Sequence, residues 1–253
     1  MSDSWDYYFA NVNDSVASVF VNLGIRDSVP HADRPWLLWV WVYFRQPRDD
    51  GLSSSEEAPI FHEIEDSLTN EVRETTEATL VGRITTAGHR EFYFYSPHQD
   101  RFGQAVAAAM MHFPNYEFDA GFKKDPDWSQ YLNVLYPSPE EHQRIKNRHV
   151  IETLKQHGDS LTKSRLVSHW AYFKSPQDRQ EFIAKASSGG FEVTDQSDDD
   201  EPNTEHPYGV KLERVDRIDW HSINNATLKL FRFVQEVDGD YDGWETSVEK
   251  DAG

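Results

Sequence analysis

The spacing of apolar positions marks out the elements of the chain before any other property does. Trp5 to Val12 is rich in aromatics, and from Ala17 to Leu23 the residues Val19, Val21 and Leu23 alternate with Ser18, Phe20 and Asn22. That pattern predicts two strands joined as a hairpin around Asn13-Asp14. Pro35 to Phe44, PWLLWVWVYF, is nearly continuous in apolar, β-branched and aromatic residues, the mark of a central strand buried on both faces. Over residues 56 to 76 the period lengthens: Ile60, Ile64, Leu68 and Val72 recur at helical spacing, with acids enriched in the first turns. Ala78 to Thr86 and Arg90 to Ser96 then flank Ala87-Gly88-His89 as strands around a tight hairpin. Gln99 to Phe113 places Phe102, Val106, Ala109, Met110 and Phe113 on a second helix that Pro114 ends, and Tyr116 to Lys124 returns as a strand. From Trp36 the predicted order is β-α-β-β-α-β.

The second half repeats that order without repeating the residues. Residues 125 to 137, DPDWSQYLNVLYP, put Trp128, Tyr131, Leu132 and Leu135 on one helical face between two prolines. Ser138-Pro139-Glu140-Glu141 has the chemistry of a helix start, and the helix runs to His157 before Gly158. Its apolar face, Ile145, Ile151 and Leu154, is thin, so the pattern places it at the surface or between domains. Arg165 to Lys174 reads as a strand, and Ser175-Pro176 opens a helix carrying Phe182, Ile183 and Ala186 that Gly189-Gly190 ends. Phe191 to Thr194 and Tyr208 to Val215 are the next strands, separated by the acidic loop DQSDDDEPNTEHP. Ser222 to Val237 is the last helix, striped by Ile223, Leu230, Val234 and Val237, and a strand around Trp244 closes the unit. Helices on one face of an antiparallel sheet in this order make the ferredoxin-like motif. The expected fold is α+β: two ferredoxin-like sandwiches, in domains 1–137 and 138–253, joined by a surface helix.

Charge and composition narrow the function classes. The formal net charge is −19, with −11 on residues 1–137 and −8 on residues 138–253. Such a field repels phosphate backbones and attracts basic partners, which argues against direct nucleic-acid binding. Cysteine is absent, so there is no disulfide framework, thiolate metal site or thiol nucleophile. The polar start MSDSWDYYF and the shortness of the longest apolar run lead to the expectation of a cytoplasmic chain without signal peptide or membrane span.

The one motif that imitates a metal site lies at residues 238 to 249, DGDYDGWETSVE, where Asp238, Asp240, Asp242, Gly243 and Glu249 match the spacing of an EF-hand calcium loop. Only four residues follow, loop position 8 is Glu245 rather than an apolar residue, and no second such loop occurs. The competing reading is a helix cap at Gly239, a turn through Tyr241-Asp242-Gly243, and a strand with Trp244, Thr246 and Val248 on one face. That strand reading is preferred, so no metal and no cofactor are expected. His62-Glu63-Ile64-Glu65-Asp66 departs from a zincin helix at Asp66, and the nucleophile-elbow, phosphate-loop and dinucleotide fingerprints are missing. No catalytic residue is assigned. His169-Trp170 reads as a half-buried strand face rather than the lip of an active cleft.

Residues 145 to 249 resemble the bacterial ribonuclease E activity regulator B family, through LKQHGDSL, SHWAYFKSPQD, GFEVTD and above all YDGWET. Residues 1 to 137 resemble a bacterial domain family of unknown function often joined to it, through EDSL, VGRITTAGHREFYFY and DPDWSQYLNVLYP. The resemblance implies a ferredoxin-like C-terminal half and a non-enzymatic protein inhibitor that binds the ribonuclease rather than RNA. The interaction candidates are Asp198, Asp199, Asp200 and Glu201 in the acidic loop, and Asp242, Trp244 and Glu245 in the closing strand. Two other classes compete: a small-ligand sensor, and a hydrolase in which His89, His98 and His112 of the N-terminal half converge.

Overall fold

The apolar run that dominates the first half forms strand β3 (Trp36–Tyr43), inside a six-stranded sheet. The computed structural model describes residues 3–12, 14–199 and 205–250, and the chain divides into two compact units, residues 1–137 and 138–253. In the first unit the elements are β1 (Trp5–Val12), β2 (Ser15–Asn22), β3, α1 (Ala58–Thr76), β4 (Thr79–Thr86), β5 (His89–Ser96), α2 (Phe102–Met110) and β6 (Phe118–Lys124). The strand order is β1-β2-β4-β5-β3-β6, with every neighbouring pair antiparallel. Without the β1–β2 hairpin this is the ferredoxin-like arrangement, in which two β-α-β crossovers interleave.

Period-two burial explains why both helices share a face. Leu38, Val40 and Val42 of β3 and Phe92 and Phe94 of β5 point the same way, and Phe61, Ile64, Leu68 and Val72 of α1 pack on them with Phe102, Val106, Ala109 and Met110 of α2. Each of these side chains except Ala109 contributes about 1.5–3 kcal/mol by leaving water. Helix α2 starts at Phe102 rather than Gln99, where Arg101 takes a left-handed conformation (φ 62°) immediately before it, and ends at Met110, short of Phe113. The opposite face is covered in part by residues 128 to 136. There Trp128 stacks on Tyr95 at 3.9 Å between ring centres, and a wide π-helical turn (Tyr131–Leu135) buries Tyr131 and Leu135 while Leu132 stays half-buried.

The second unit comprises α3 (Pro139–Gln156), β7 (Arg165–Phe173), α4 (Pro176–Ser188), β8 (Glu192–Asp198), β9 (Tyr208–Asp216), α5 (Trp220–Glu236) and β10 (Asp240–Thr246). Its four strands run β10-β7-β9-β8, again antiparallel throughout. Ala171, Phe173, Leu212 and Tyr241 meet Phe182 and Ala186 of α4 and Leu230 and Val234 of α5 on one face.

Helix α3 starts with a capping box between Ser138 and Glu141 and lies beside α5 on that same face. Its outer side is solvated, as befits a surface helix, but its inner side is polar where the pattern shows little to bury. Ile151 and Leu154 pack with Val167, Ile223 and Trp244. Beside them the Asn147 amide is saturated: its Oδ1 accepts from Gln143 Nε2 (2.9 Å) and Trp244 Nε1 (2.9 Å), and its Nδ2 donates to Asn224 Oδ1 (2.8 Å) and Thr227 Oγ1 (2.7 Å). One side chain thus ties α3, α5 and β10 together, and a fully satisfied buried network of this kind fixes a single way of docking.

Three local readings are corrected. The turn expected at Tyr241-Asp242-Gly243 is part of strand β10, interrupted by a bulge between Tyr241 and Gly243. Gly243, at φ 152°, accommodates the extra residue, so Tyr241 and Trp244 both face the core three positions apart instead of two. Val248, expected on the Trp244 face, lies beyond the strand and is exposed. The acidic segment after Thr194 is likewise not all loop: β8 extends through Asp198, hydrogen-bonded to β9, because an edge strand solvated on both sides needs no apolar alternation.

Candidate docking face of the C-terminal sheet

Strand register places the side chains that point away from the helices in rows. Tyr172 of β7 lies between Asp240 of β10 and Gly209 of β9, with Ser197 of β8 beyond. Trp170 lies between Gly243 and Lys211, with Asp195 beyond, and Ser168 lies between Glu245 and Glu213, with Glu192 beyond. Leu166 pairs with Val215 at the end of the sheet, and these two are 51% and 64% exposed. The face therefore has an aromatic centre, an aliphatic end and carboxylates along both flanks.

Gly209 is what makes the centre flat. A Cβ there would stand 2.5 Å from Ser197 Oγ and 3.1 Å from the Tyr172 ring, so both side chains lie down over the bare backbone. Next to them Trp170, Tyr172, Asp242, Gly243, Trp244 and Glu245 enclose a shallow hollow of about 330 Å³. Asp240 and Asp242 act on Tyr172, whose hydroxyl pKa is raised first by burial and then by these two charges. Among the described residues of these rows, six carboxylates, Glu192, Asp195, Glu213, Asp240, Asp242 and Glu245, stand with one ammonium, that of Lys211. Lys211 Nζ sits 5.4 Å from the centre of the Trp170 ring and pairs with Glu213 at 2.7 Å, an interaction that raises its pKa and lowers that of Glu213. The chain's own lysine thereby shows what the face attracts: a cation held between a ring face and a carboxylate.

Of the residues singled out in the sequence, Asp242 and Glu245 are exposed on this face. Trp244 is not; it is 7% exposed and turned toward α3 with its indole N–H on Asn147, so it is a packing residue. Asp198 ends β8 and accepts from Arg179 Nη1 at 2.7 Å, while the Asp199 N–H donates to Pro207 O at 2.7 Å. Asp200 and Glu201 lie outside the described residues. Trp170, Tyr172, Lys211 and Glu213 were missed as a group. The alternation Leu166, Ser168, Trp170, Tyr172 signalled a second face, but the pairing that brings β9 and β10 carboxylates beside it is a property of register.

The four residues of the calcium-like motif are engaged separately. Asp238 pairs with Lys174 at 2.5 Å, Asp240 and Asp242 belong to β10, and Glu249 accepts from Ser247 Oγ at 3.3 Å while its N–H donates to Asp159. Among the described residues no three His, Asp or Glu side chains are grouped to hold a metal. His89 opens β5 (His89–Ser96) and His98 lies two residues past its other end, so at about 3.3 Å per residue the strand holds them apart. His169 points into the core, shares a 2.8 Å hydrogen bond with Tyr241 Oη, and is pushed down to about 3 by burial and then by Arg214. Among the described residues no helix is long and apolar enough to cross a membrane.

Fold and face together describe an α+β protein of two ferredoxin-like units, one presenting an acidic, aromatic sheet surface. The chain belongs to the family of unknown function DUF695, whose family model matches residues 3–136, more than half of its length. Residues 144–246 match the family model Regulator of ribonuclease activity B, a regulatory family. No curated protein matches the chain. Among solved structures, an unknown protein from Galdieria sulphuraria matches at 11% identity over 85% of this chain and 99% of that one, with a TM-score of 0.23.

Proposed function

We propose that this protein is a non-catalytic regulator that binds a protein partner, a ribonuclease of the ribonuclease E type, through the acidic face of its C-terminal sheet. The observation that carries the reading is the set of six carboxylates flanking Trp170 and Tyr172 within the segment that matches the regulator family. A ribonuclease must present a basic surface to RNA, and an acidic face competes for that surface while being repelled by RNA itself. Asp198 at the end of β8 carries the same sign of charge, as do Asp199, Asp200 and Glu201 next to it in the sequence, and these acids act mainly on the rate of association. The absence of cysteine from the sequence fits the cytoplasm, where such a partner works.

The test adds the purified full-length chain to ribonuclease E cleavage of a short RNA. Cleavage should slow in proportion to the protein added, and the variant Asp240→Asn/Asp242→Asn/Glu245→Gln should inhibit at least tenfold more weakly with a melting temperature no lower than the parent's. Tight binding of the RNA by this protein alone, or equal inhibition by the variant, would refute the reading.

A further inference from the structure

Strand β10 forms one edge of the C-terminal sheet, and among the described residues no strand pairs with its outer side. It is flanked by a hollow on each face. On the open side lies the one that holds Trp170, Tyr172, Asp242 and Glu245. On the helix side a largely apolar groove of about 410 Å³ runs between α3 and β10, lined by Val150, Thr153, Leu154, His157, Trp244 and Val248 among others. Thr153, His157, Glu245 and Val248 are exposed along it.

We propose that the β10 edge is a strand-addition site for an extended segment in which apolar and basic residues alternate. An unpaired edge presents a row of backbone N–H and C=O groups that an extended segment can satisfy all along its length, which sets the conformation of the occupant. Side chains of an added strand alternate between faces at period two. Those on the helix side enter the α3–β10 groove and should be apolar. Those on the open side come beside Asp240, Asp242 and Glu245, next to the ring of Trp170, and should be lysine or arginine. Residues 240–246 carry three acids and no base. The same charges exclude an acidic strand, β10 of a second copy included, so the edge is selective rather than merely open.

This rests on the regulator reading for its biological partner but not for its test, which uses two labelled octapeptides of identical composition. One is four Val-Lys repeats; the other is four valines followed by four lysines. Fluorescence anisotropy with the full-length chain should give at least tenfold tighter binding of the alternating peptide, and amide exchange should slow at residues 240–246 when it binds. Thr153→Arg, which fills and charges the groove from an exposed helix position, should weaken that peptide at least tenfold, whereas Glu63→Lys on α1 should not. Equal affinity for the two peptides, no binding of either, or exchange protection on β8 instead of β10 would overturn the proposal. If Thr153→Arg still inhibits the ribonuclease while the peptide preference is lost, the acidic face acts without strand addition and only the regulator reading stands.

Discussion

Two histidines show how environment sets the sign of a pH response. His169 is buried in the C-terminal core and held well below its ordinary value, to about 3, so the folded protein carries it neutral while the unfolded chain protonates it near 6.5. Its folded value being depressed, the stability present above about 6.5 is lost as pH falls from there toward about 3. His89 is the opposite case: a 2.8 Å hydrogen bond to Glu91 raises its pKa, so its contribution is fully present below about 6.5 and is lost as pH rises through the folded value. Melting curves from pH 4 to pH 9 should therefore show His169→Leu flattening the acid side relative to the parent and His89→Gln flattening the neutral-to-alkaline side. A steeper acid limb in His169→Leu would mean that the buried imidazole is charged in the fold. Both histidines were visible in the sequence, but their environments come from register: His169 lies on the core side of β7, opposite Trp244, and only the bulge in β10 brings the Tyr241 hydroxyl to it.

At the scale of elements, what the sequence made legible is what period alone can carry. The β-α-β-β-α-β order in both halves and the stripes of α1 and α5 follow from positions two or 3.6 residues apart, and β3 from its continuous apolar run. But β3 is not buried on both faces as that run implied: Leu38, Val40 and Val42 are buried while Trp39, Trp41 and Tyr43 on the other face stay half-buried. The inner face of α3 escaped because it is built from amides and a hydroxyl, which read as solvated until their partners are known. The bulge escaped because one extra residue breaks the period-two pattern of β10, and the continuation of β8 past Thr194 to Asp198 escaped because an edge strand has no apolar signature. These explanations make a prediction about how α3 is held. Trp244→Phe removes one donor to Asn147 and should cost about 1–3 kcal/mol. Asn147→Leu strips partners from Gln143, Asn224, Thr227 and Trp244 at once, and should cost more than Trp244→Phe, at least about 3 kcal/mol. Urea unfolding of the two variants orders the costs, and a milder effect from Asn147→Leu would show that shape, rather than hydrogen bonding, docks the helix. Asp159 supplies a second fastening: it grips the Arg165 guanidinium with both oxygens and accepts the Glu249 and Leu161 N–H groups, which holds its carboxyl well below the usual range. Asp159→Asn should destabilise the C-terminal unit by about 3–5 kcal/mol, because Arg165 would then be buried without its counter-charge.

For the whole molecule, the net charge of −19 acts on folding and on binding in opposite directions. Charges of one sign distributed over both halves repel one another in the folded chain, and the unfolded chain relieves that repulsion by expanding. Adding salt shortens the Debye length from about 30 Å at 0.01 M to about 8 Å at 0.15 M, so it should raise the melting temperature over that range. The attraction between the six-carboxylate face and a basic partner is screened by the same ions, so the affinity for the Val-Lys octapeptide should fall over the same range, mainly through slower association. The pairing of opposite trends separates this account from two simpler ones. If the acids served solubility alone, binding would be insensitive to salt while the melting temperature rose. If apolar contact in the α3–β10 groove supplied the whole affinity, binding would hold steady or strengthen. One salt titration, read by thermal unfolding and by stopped-flow association on the same preparation, decides among them.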